Sequence, residues 1–386
     1  MMTIARHLES VIREDAAFYP AITVFGPRQA GKTTLMRNCF PEHEYVNLED
    51  PEERALAQND YKSFFRNHPG RLVLDEVQRV PAITSALQVL IDKRRDEAGR
   101  FVLTGSHQTK LFEAVSQSLA GRTSILSLFP PDLSELAGRT DGVSTDELLV
   151  RGFMPELWVK KTDPFRFYRN YYRTYVERDL RQISAISDLD AFDRFVRLLA
   201  GRVGQVLNLS SMTSETGFSS TTLSGWLSAL EASYLVFRLH PHASSVSRRL
   251  VRSPKIYFSE PGLASYLLGI STPAQMSRDP LRGHLFENLV VVADAFKRRH
   301  HAGKDPDAGF VRTHDGFEID LVLRNGRETR PVEIKSAATW NPKFSDALGR
   351  YAGKVPGCFR PTVVYDGDDR TLANGVETLN FRRWTP

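Results

Sequence analysis

Residues 26–33 read GPRQAGKT and match the pattern G-x-x-x-x-G-K-[ST], in which a lysine and a hydroxyl residue follow the second glycine. A β-branched run, AITVF, precedes the pattern, and a helical sequence, TLMRNCF, follows it. In this order the glycines let backbone N–H groups turn towards an anion, and the N-terminus of the helix adds partial positive charge. The segment therefore predicts a strand, a phosphate-binding loop and a helix, which together begin an α/β domain.

This loop predicts binding of ATP and Mg²⁺. Lys32 is expected to reach the β- and γ-phosphates, and Thr33 is expected to hold the metal ion. A plain turn with the same spacing arises by chance, but it does not require a strand before it and a helix after it. The other residues of the predicted nucleotide site are Gly26, Pro27, Arg28, Gln29, Ala30, Gly31 and Thr34.

A second buried strand, within RLVLDEVQRVP, ends in two acidic residues. Asp75 is expected to complete the Mg²⁺ shell, and Glu76 is expected to polarise the attacking water. The alternative, an acidic strand end that faces solvent, would leave the phosphate loop without its metal carboxylate. EYVNLED predicts a further strand between the two motifs, and RFVLTGSH predicts one after them.

This order of strands resembles AAA-type ATPases. The resemblance implies that Ser106, at the end of RFVLTGSH, senses the γ-phosphate or the attacking water. It also implies that Arg122, in the turn of SLAGRTSILSLF, is an arginine finger for a neighbouring subunit in a homo-oligomer. The alternative for Arg122 is a helix-end arginine that caps carbonyl groups. Arg178, in VERDL, is a second candidate for contact with nucleotide phosphate.

The length, net charge, cysteine content and apolar runs of the chain limit the number of domains and the kinds of partner that it can have. A chain of 386 residues is too long for one ordinary core and predicts two or three domains. A net charge of +5 permits a nucleic-acid partner without requiring one. Cys39 and Cys358 form neither a disulfide framework nor a metal cluster, which suits a reducing cytoplasm. No apolar run approaches about 18 residues, so no membrane span is expected.

The stretch 141–275 follows the predicted ATPase domain of 1–140 and predicts a helical region that leads into a winged helix. LSSMTSETG predicts a short helix closed by Gly217, SSTTLSGWLSALEAS predicts a second helix, and YLVFRLHP and SPKIYFSE predict a strand pair. Such a unit commonly places its second helix in the major groove of DNA. That helix exposes Ser, Thr and Glu, so protein packing with contacts from the wing to phosphate is equally open. The predicted basic residues of the wing are Arg248, Arg249, Arg252 and Lys255.

Residues 276–386 predict a further α/β domain with polar residues on one face of a sheet. RGHLFENLVVVADAFKRRH predicts an amphipathic helix that contains Glu287, and GFEIDLVLRNGRETRPVEIKS predicts two strands. Asp320 lies on the first strand, and Glu333 and Lys335 lie two residues apart on the second, so that they share a face. A lone E-x-K pair is more simply a strand ion pair, but here further carboxylates accompany it.

The arrangement of Glu287, Asp320, Glu333 and Lys335 resembles the PD-(D/E)xK nuclease superfamily. The resemblance implies a restriction-endonuclease-like fold in which the three carboxylates hold Mg²⁺ and the lysine orients a water. The alternative is a satisfied polar network in a domain that has lost catalysis.

Taken whole, the chain resembles a family of prokaryotic AAA-type ATPases whose C-terminal part is a domain of unknown function. The motifs are GPRQAGKTT, VLDEVQ, LTGS, LAGR, YVERDL, GHLFENLV, EIDLVL and EIKS, in this order. One departure is Glu260, where related sequences tend to have Asp. Two functions are expected from these features: an ATPase that acts on branched or single-stranded DNA, or a nucleotide-dependent switch or scaffold that binds protein.

Overall fold

A computed structural model describes residues 4–106, 108–160, 162–176, 186, 188–242, 251–372 and 375–384. These residues form a five-stranded sheet, a two-stranded sheet and a six-stranded sheet, in that order along the chain, with helices packed around them. No helix among the described residues combines the length and the apolar character needed to cross a bilayer.

The first sheet is parallel throughout and has the order β2-β3-β4-β1-β5. The strand β4 thus lies between β1, which precedes the phosphate loop, and β3, which ends in Asp75. Because parallel strands share one carboxyl edge, the loop after β1, the acidic end of β3 and the polar end of β4 meet there. The strands are β1 (Ala21–Phe25), β2 (Glu44–Asn47), β3 (Leu72–Asp75), β4 (Phe101–Gly105) and β5 (Thr123–Ser127).

Both faces of this sheet are covered. Alternate residues of β1 point to opposite faces, so Ala21 and Phe25 pack in one apolar cluster while Ile22 and Val24 pack in another. Burial on both sides explains the continuous apolar runs of the central strands. The covering helices are α1 (Leu8–Asp15), α2 (Lys32–Cys39), α3 (Pro51–Asn59), α4 (Tyr61–Asn67), α5 (Ile83–Lys93) and α6 (Gln108–Ser118).

The middle region is helical, and two of its helices, joined by a tight turn, are followed by an antiparallel strand pair. Gly217, with φ of 78°, ends the first of these helices, and the Ser219 side chain caps the second by accepting from a backbone N–H. The predicted wing tip, with Arg248 and Arg249, lies outside the described residues. The elements are α7 (Thr145–Arg151), α8 (Pro155–Val159), α9 (Pro164–Tyr171), a π-helix (Tyr172–Val176), α10 (Leu189–Ala200), α11 (Leu209–Thr216), α12 (Ser220–Ala232), β6 (Val236–Leu239), β7 (Lys255–Phe258), α13 (Pro261–Leu267) and α14 (Pro273–Met276).

The six-stranded sheet has the order β12-β13-β11-β10-β9-β8. Its first three strands along the chain form an antiparallel meander, and β10, β11 and β13 then pair in parallel. Val332 pairs with Leu321, so the next residues, Glu333 and Asp320, lie side by side on one face. The elements are α15 (Arg282–Asn288), a π-helix (Leu289–Phe296), α16 (Lys297–His301), β8 (Ala308–Arg312), β9 (Glu318–Asn325), β10 (Glu328–Lys335), a 3₁₀ turn (Pro342–Ser345), α17 (Asp346–Ala352), β11 (Thr362–Tyr365), β12 (Arg370–Thr371) and β13 (Glu377–Asn380).

The middle and C-terminal regions share one apolar core. A single cluster of buried side chains includes Phe153 and Tyr257 of the middle region together with Phe286, Ile334 and Trp384 of the C-terminal region. Polar groups placed between the two regions are therefore removed from water, and each of them needs a partner inside the protein.

Glu260, the departure noted in the sequence, is buried at the N-terminus of α13. Its Oε1 accepts hydrogen bonds from the backbone N–H of Phe153 at 2.7 Å and from the hydroxyl of Tyr168 at 3.1 Å. The Lys297 ammonium lies 3.6 Å from Oε2. The carboxylate thus joins three segments of the chain, which gives this residue a structural role.

Candidate functional site

The phosphate-binding loop turns at two glycines whose backbone conformations exclude most side chains. Gly26 has a φ of 154°, and a Cβ at this position would lie 2.0 Å from the carbonyl oxygen of Leu128. Gly31 has a φ of 96° and directly precedes α2. Glycine alone adopts such conformations without strain. The loop therefore wraps the N-terminus of α2, as the motif predicts.

Lys32 is the first residue of α2 and is buried beneath the loop. Its ammonium donates to the carbonyl oxygens of Gly26 at 2.8 Å and of Pro27 at 2.9 Å. Burial lowers the pKa of Lys32, and the nearby carboxylates of Glu76 and Asp75 oppose that shift. Since two opposite charges attract each other in addition to sharing a hydrogen bond, phosphate oxygens would bind this ammonium more strongly than the neutral carbonyl groups of the loop do.

Asp75 accepts hydrogen bonds from three hydroxyl groups at the end of β3. The donors are Thr33 at 2.7 Å, Tyr45 at 2.5 Å and Thr104. The carboxylate is thereby held beside the Thr33 hydroxyl, and this pair of oxygen ligands fits Mg²⁺, which binds few protein oxygens and keeps several waters. Burial and the bond to Asp75 raise the pKa of Tyr45, so that it remains a donor.

Sequence reasoning missed Tyr45 and Thr104 as partners of Asp75. Tyr45 lies on β2, directly beside β3, and Thr104 is the penultimate residue of β4. The available signal was the strand order, because a polar residue near the end of either neighbouring strand lies within reach of Asp75.

Glu76 lies next to the predicted sensor residue. Its carboxylate accepts from the Ser106 hydroxyl at 3.1 Å and from the Gln78 amide, which itself lies 3.0 Å from the Ser106 oxygen. Glu76 has a φ of 59°, a left-handed conformation that is strained for a residue other than glycine. The structure thus brings Glu76 and Ser106 together at the sheet edge, and their roles in hydrolysis remain predictions.

Two cavities adjoin the loop. One of about 360 Å³ is lined largely by apolar groups, among them Ile4, Pro131 and Val159, and includes Thr34 at its polar side. The other, of about 260 Å³, lies between Gln29 of the loop and the helix α9 and is lined by Arg166 and Tyr171, among others. Space for both apolar and polar parts of a ligand therefore exists next to the phosphate loop.

The Arg28 side chain and the Ala30 carbonyl of the loop also contact other parts of the protein. Arg28 lies 3.5 Å from Glu49, which also pairs with Arg79 at 3.0 Å. Gln29 has a φ of 61°, and the Ala30 carbonyl accepts a hydrogen bond from Arg6 at 2.9 Å. These contacts join the loop to Glu49 and Arg6, which lie outside it.

Arg122 lies at the opposite edge of the sheet from the phosphate loop. It directly precedes β5, whose first residue pairs with Ala21, whereas the loop follows the carboxyl end of β1. A strand of five residues spans about 16 Å, so Arg122 does not reach the nucleotide site of its own chain. It makes two bonds of 2.9 Å to Asp92 and one of 3.0 Å to the Ala120 carbonyl. Arg178 lies outside the described residues.

A buried charge cluster that the sequence did not indicate links the phosphate loop to the C-terminal region. Arg6, which donates to the Ala30 carbonyl, also lies 3.1 Å from Glu135 Oε2 and 3.3 Å from His301 Nε2. His301 Nδ1 in turn lies 3.0 Å from Asp132 and 3.1 Å from Glu135. Although burial opposes the shift, hydrogen bonds from His301 lower the pKa of both carboxyl groups. These residues are named the Arg6 cluster below: Arg6, Asp132, Glu135 and His301.

Part of this cluster has ligand-type atoms at metal-site spacing. Among the described residues, His7, Asp132 and Glu135 place one such atom each within 4.8 Å of one another. Both carboxylates, however, already pair with His301, and Glu135 also pairs with Arg6. We therefore assign no metal to this group.

The structure brings the predicted C-terminal residues into one polar cluster. Lys335 Nζ lies 2.6 Å from Glu333 Oε1 and 3.6 Å from Asp320 Oδ2, and Asp320 also accepts from the backbone N–H of Ile334 at 2.8 Å. Glu287 approaches from α15, buried against the same face.

Lys255 lies inside this cluster, which corrects its assignment to the exposed basic wing. It is the first residue of β7, its side chain is 1% exposed, and Nζ lies 2.8 Å from Glu287, 2.6 Å from Glu318 and 3.8 Å from Asp320. The Tyr257 hydroxyl donates to Glu287 at 2.6 Å. Sequence reasoning missed Lys255, Tyr257 and Glu318 as members. Only for Glu318 was there a signal, because it precedes Asp320 by two residues on the same strand face.

The crowding of carboxylates shifts their protonation. Burial, the largest effect, raises the pKa of Glu287 to about 7 against the opposing charge of Lys255. Burial and the neighbouring Asp320 raise the pKa of Glu333 to about 8. Burial alone would lower the pKa of Lys255, but Glu287, Asp320 and Glu318 raise it above its ordinary range. These residues are named the acidic cluster below: Lys255, Tyr257, Glu287, Glu318, Asp320, Glu333 and Lys335.

Family comparisons divide the chain into three parts. Residues 19–137 match the AAA domain family, residues 143–274 match a domain of unknown function (DUF8612), and residues 282–384 match another domain of unknown function (DUF4143). The N-terminal region is therefore a P-loop domain of the AAA type. Neither of the other two descriptions assigns an activity.

Two solved structures are similar at low identity. A Walker-type ATPase of Pyrococcus abyssi has a TM-score of 0.44 and 14% identity, covering 69% of this chain and 96% of its own. AMPPCP-bound DnaA from Aquifex aeolicus has a TM-score of 0.31 and 16% identity, covering 58% of this chain and 85% of its own.

Relatives of nearly the whole chain occur in mycobacteria. An uncharacterized protein of Mycobacterium tuberculosis is 31% identical over 358 residues, which cover 91% of this chain and 77% of the relative. An uncharacterized protein of Mycobacterium bovis matches to the same extent. The chain therefore belongs to the same family as these two mycobacterial proteins, and its N-terminal domain is of the AAA type.

Proposed function

We propose that the protein hydrolyses ATP in its AAA domain and that nucleotide binding and turnover control the engagement of DNA by its other two regions. The observation that supports hydrolysis is the meeting of Lys32, Thr33, Asp75 and Glu76 at one sheet edge, with Thr33 bonded to Asp75 at 2.7 Å. A P-loop domain that bound nucleotide without hydrolysing it would not need the carboxylate of Glu76 or the hydroxyl of Ser106 that bonds to it.

The nucleotide is positioned by the loop and by the apolar cavity beside it. The triphosphate lies over the N-terminus of α2, where Lys32 exchanges the Gly26 and Pro27 carbonyls for β- and γ-phosphate oxygens. The base lies in the cavity of about 360 Å³ next to Thr34 and Ile4, whose lining is largely apolar.

Hydrolysis then follows from the acidic edge. Thr33 and Asp75 would hold Mg²⁺, which would neutralise the negative charge that develops on the phosphates. Glu76 takes a proton from the attacking water, whose oxygen bonds to the γ-phosphorus as the bond to the bridging oxygen breaks and ADP leaves. Ser106, bonded to Glu76, keeps that carboxylate aimed at the water.

Two further proposals concern assembly and DNA. Arg122 completes the nucleotide site of a neighbouring copy, since it lies at the sheet edge remote from its own phosphate loop. The meander of β8, β9 and β10 followed by the parallel β11 supports a nuclease-like fold of the C-terminal region, and the order of α11, α12, β6 and β7 supports a winged helix. Both folds are used to contact DNA, which is here taken to be branched or single-stranded.

Metal-dependent cleavage does not fit the acidic cluster as it stands. A divalent ion needs oxygen ligands from Glu287, Asp320 and Glu333 around one point, but the Lys255 ammonium lies among the carboxylates of Glu287, Glu318 and Asp320. We therefore derive no cleavage step through a metal at this site.

A second candidate function is a nucleotide-dependent switch or scaffold whose C-terminal regions bind protein. The observation that favours it is the exposed face of α12, where Ser220, Thr221, Ser224 and Ser228 are neutral and small. A recognition helix for DNA normally presents Arg, Lys, Asn or Gln to base edges.

The experiment measures ATP turnover with and without branched, single-stranded and duplex DNA, together with DNA binding between 50 and 200 mM salt. The DNA proposal expects stimulated turnover and an affinity that falls at least about 10³-fold over this range if six or more phosphates are contacted. Lys32→Ala should lose turnover with every DNA. If DNA does not change the rate of ATP turnover and no salt-dependent binding of DNA is detected, the switch or scaffold function is favoured.

A further inference from the structure

The acidic cluster contains a cation from outside its own domain. Glu287, Glu318, Asp320 and Glu333 all belong to the C-terminal region, whereas Lys255 belongs to β7 of the middle region. Strand β7 is held in place by its pairing with β6 and by the apolar core that the two regions share. The lysine therefore reaches the carboxylates because of how the two regions pack.

The Lys255 ammonium lies among carboxylates in the way that a bound metal ion lies among its ligands. Its Nζ has three carboxylates around it, at 2.6 Å, 2.8 Å and 3.8 Å, and the side chain is 1% exposed. Lys335, by contrast, is 32% exposed and pairs with Glu333 at the rim. A buried charge is retained only where opposite charges and hydrogen bonds compensate it, and here Glu287, Glu318 and Asp320 supply that compensation.

The same oxygens are the kind that bind hard divalent ions. Carboxylates bind Mg²⁺ at about 2.0–2.1 Å and Ca²⁺ at about 2.3–2.6 Å. The two nearer oxygens lie 2.6 Å and 2.8 Å from Nζ, so they need to move by less than about 1 Å to bind an ion in its place. If the ammonium were removed, these carboxylates would repel one another and favour any cation that entered.

We propose that the Lys255 ammonium is the resident cation of the acidic cluster, standing where a divalent ion would otherwise bind. The cluster takes up no Mg²⁺ or Mn²⁺ while β7 is in place, and it becomes a divalent-metal site when this ammonium is removed. The proposal concerns the C-terminal part of the proposed function and does not depend on ATP hydrolysis.

The test counts bound Mn²⁺ by electron paramagnetic resonance and follows the melting temperature with metal, in Lys32→Ala protein so that nucleotide-linked metal is absent. The parent is expected to bind no Mn²⁺ at this cluster at 1 mM metal. Adding Lys255→Met should create one site per chain and a metal-dependent rise in melting temperature, and Asp320→Asn should abolish both. Lys255→Arg, which keeps the positive charge, should behave as the parent.

A matched control is Lys297→Met. Lys297 is equally buried but faces the single carboxylate of Glu260, so its removal should create no Mn²⁺ site. The proposal is overturned if a cooperatively folded Lys255→Met protein gains no Mn²⁺. It is also overturned if the parent binds Mn²⁺ in a manner that Asp320→Asn removes, a result that stands even if Lys255→Met does not fold. Since neither readout uses ATP, loss of the ATPase proposal would leave this result unaffected.

Discussion

The phosphate-loop site and the acidic cluster are both buried and charged, yet they are built in opposite ways. The first is assembled within one domain, from the ends of the adjacent strands β1, β3 and β4 and the helix that follows β1. The second takes its carboxylates from α15, β9 and β10 and a lysine from β7 in another region. One site is local in the fold, and the other exists only where two regions meet.

The two sites also differ in how their charges are satisfied. Lys32 is held by neutral carbonyl groups, so its charge remains available for an anion. Lys255 is held by carboxylates, and the cluster around it is already neutralised in large part. A buried charge that is hydrogen-bonded to neutral groups can exchange them for a charged ligand, whereas a buried charge that is bonded to opposite charges leaves no room for one.

The largest expected effect tests whether the phosphate-loop site is complete within one chain. Arg122→Ala should lower ATP turnover by about 10³-fold or more if Arg122 acts as a finger on a neighbouring copy. Mixing Arg122→Ala protein with Lys32→Ala protein should restore part of the turnover, measured as phosphate release. The matched control is Arg95→Ala, which removes the other arginine paired with Asp92. If the Arg122→Ala protein is monomeric and turns over ATP at the parent rate, Arg122 is not an arginine finger and only caps carbonyl groups at a helix end.

The next effect tests whether the acidic end of β3 does the chemistry. Glu76→Gln should lower the turnover number by about 10²–10⁴-fold while leaving ATP affinity unchanged, because the base is removed and Asp75 still holds the metal. Nucleotide titration and steady-state phosphate release measure the two quantities. Glu53→Gln, at a surface partner of His68, should change neither. Parent-like hydrolysis by Glu76→Gln would show that the strand end was wrongly assigned.

A smaller effect tests whether the Arg6 cluster, which joins the phosphate loop to the C-terminal region, stabilises the folded protein. Arg6→Met should lower the free energy of unfolding by about 3–5 kcal/mol, because it removes the guanidinium that pairs with the buried Glu135 at 3.1 Å. Denaturation in urea gives the value. Arg94→Met, which removes an exposed pair with Glu97, should cost less than about 1 kcal/mol. A similar small cost for Arg6→Met would mean that the Arg6 cluster does not stabilise the junction.

The smallest effect concerns a single hydrogen bond of the acidic cluster. Tyr257→Phe should lower the free energy of unfolding by about 1.5–3 kcal/mol, since Glu287 loses the donor at 2.6 Å. ATP turnover at 25 °C should stay within about twofold of the parent, because the variant alters the filled site only. Tyr61→Phe, at an exposed position, should be neutral within about 0.5 kcal/mol. A large change in turnover would show that the two sites are coupled.

Prediction from sequence succeeded where a site depends on short spacing. The loop GPRQAGKT, the strand that ends in Asp75 and the polar end of β4 could be placed because parallel strands share a carboxyl edge. Alternation along two adjacent strands placed Asp320, Glu333 and Lys335 near one another, and the resemblance to the PD-(D/E)xK superfamily added Glu287 from a helix. Prediction failed for Lys255, because its basic neighbours suggested an exposed wing, and for Arg6, which lies 24 residues before its partner Ala30 and 295 before His301.

The sequence by itself determined the AAA domain, the strand and helix that flank its phosphate loop, and the acidic residues at the end of β3. Each of these follows from local rules: glycines at strained backbone positions, helix N-termini that attract anions, and strands whose side chains alternate. Only the tertiary structure decided which cation fills the acidic cluster, why Glu260 is buried, and how Arg6 joins the loop to His301. Those contacts join residues far apart in the chain, and the low-dielectric interior, where every charge needs a partner, selects them only after the regions have packed together.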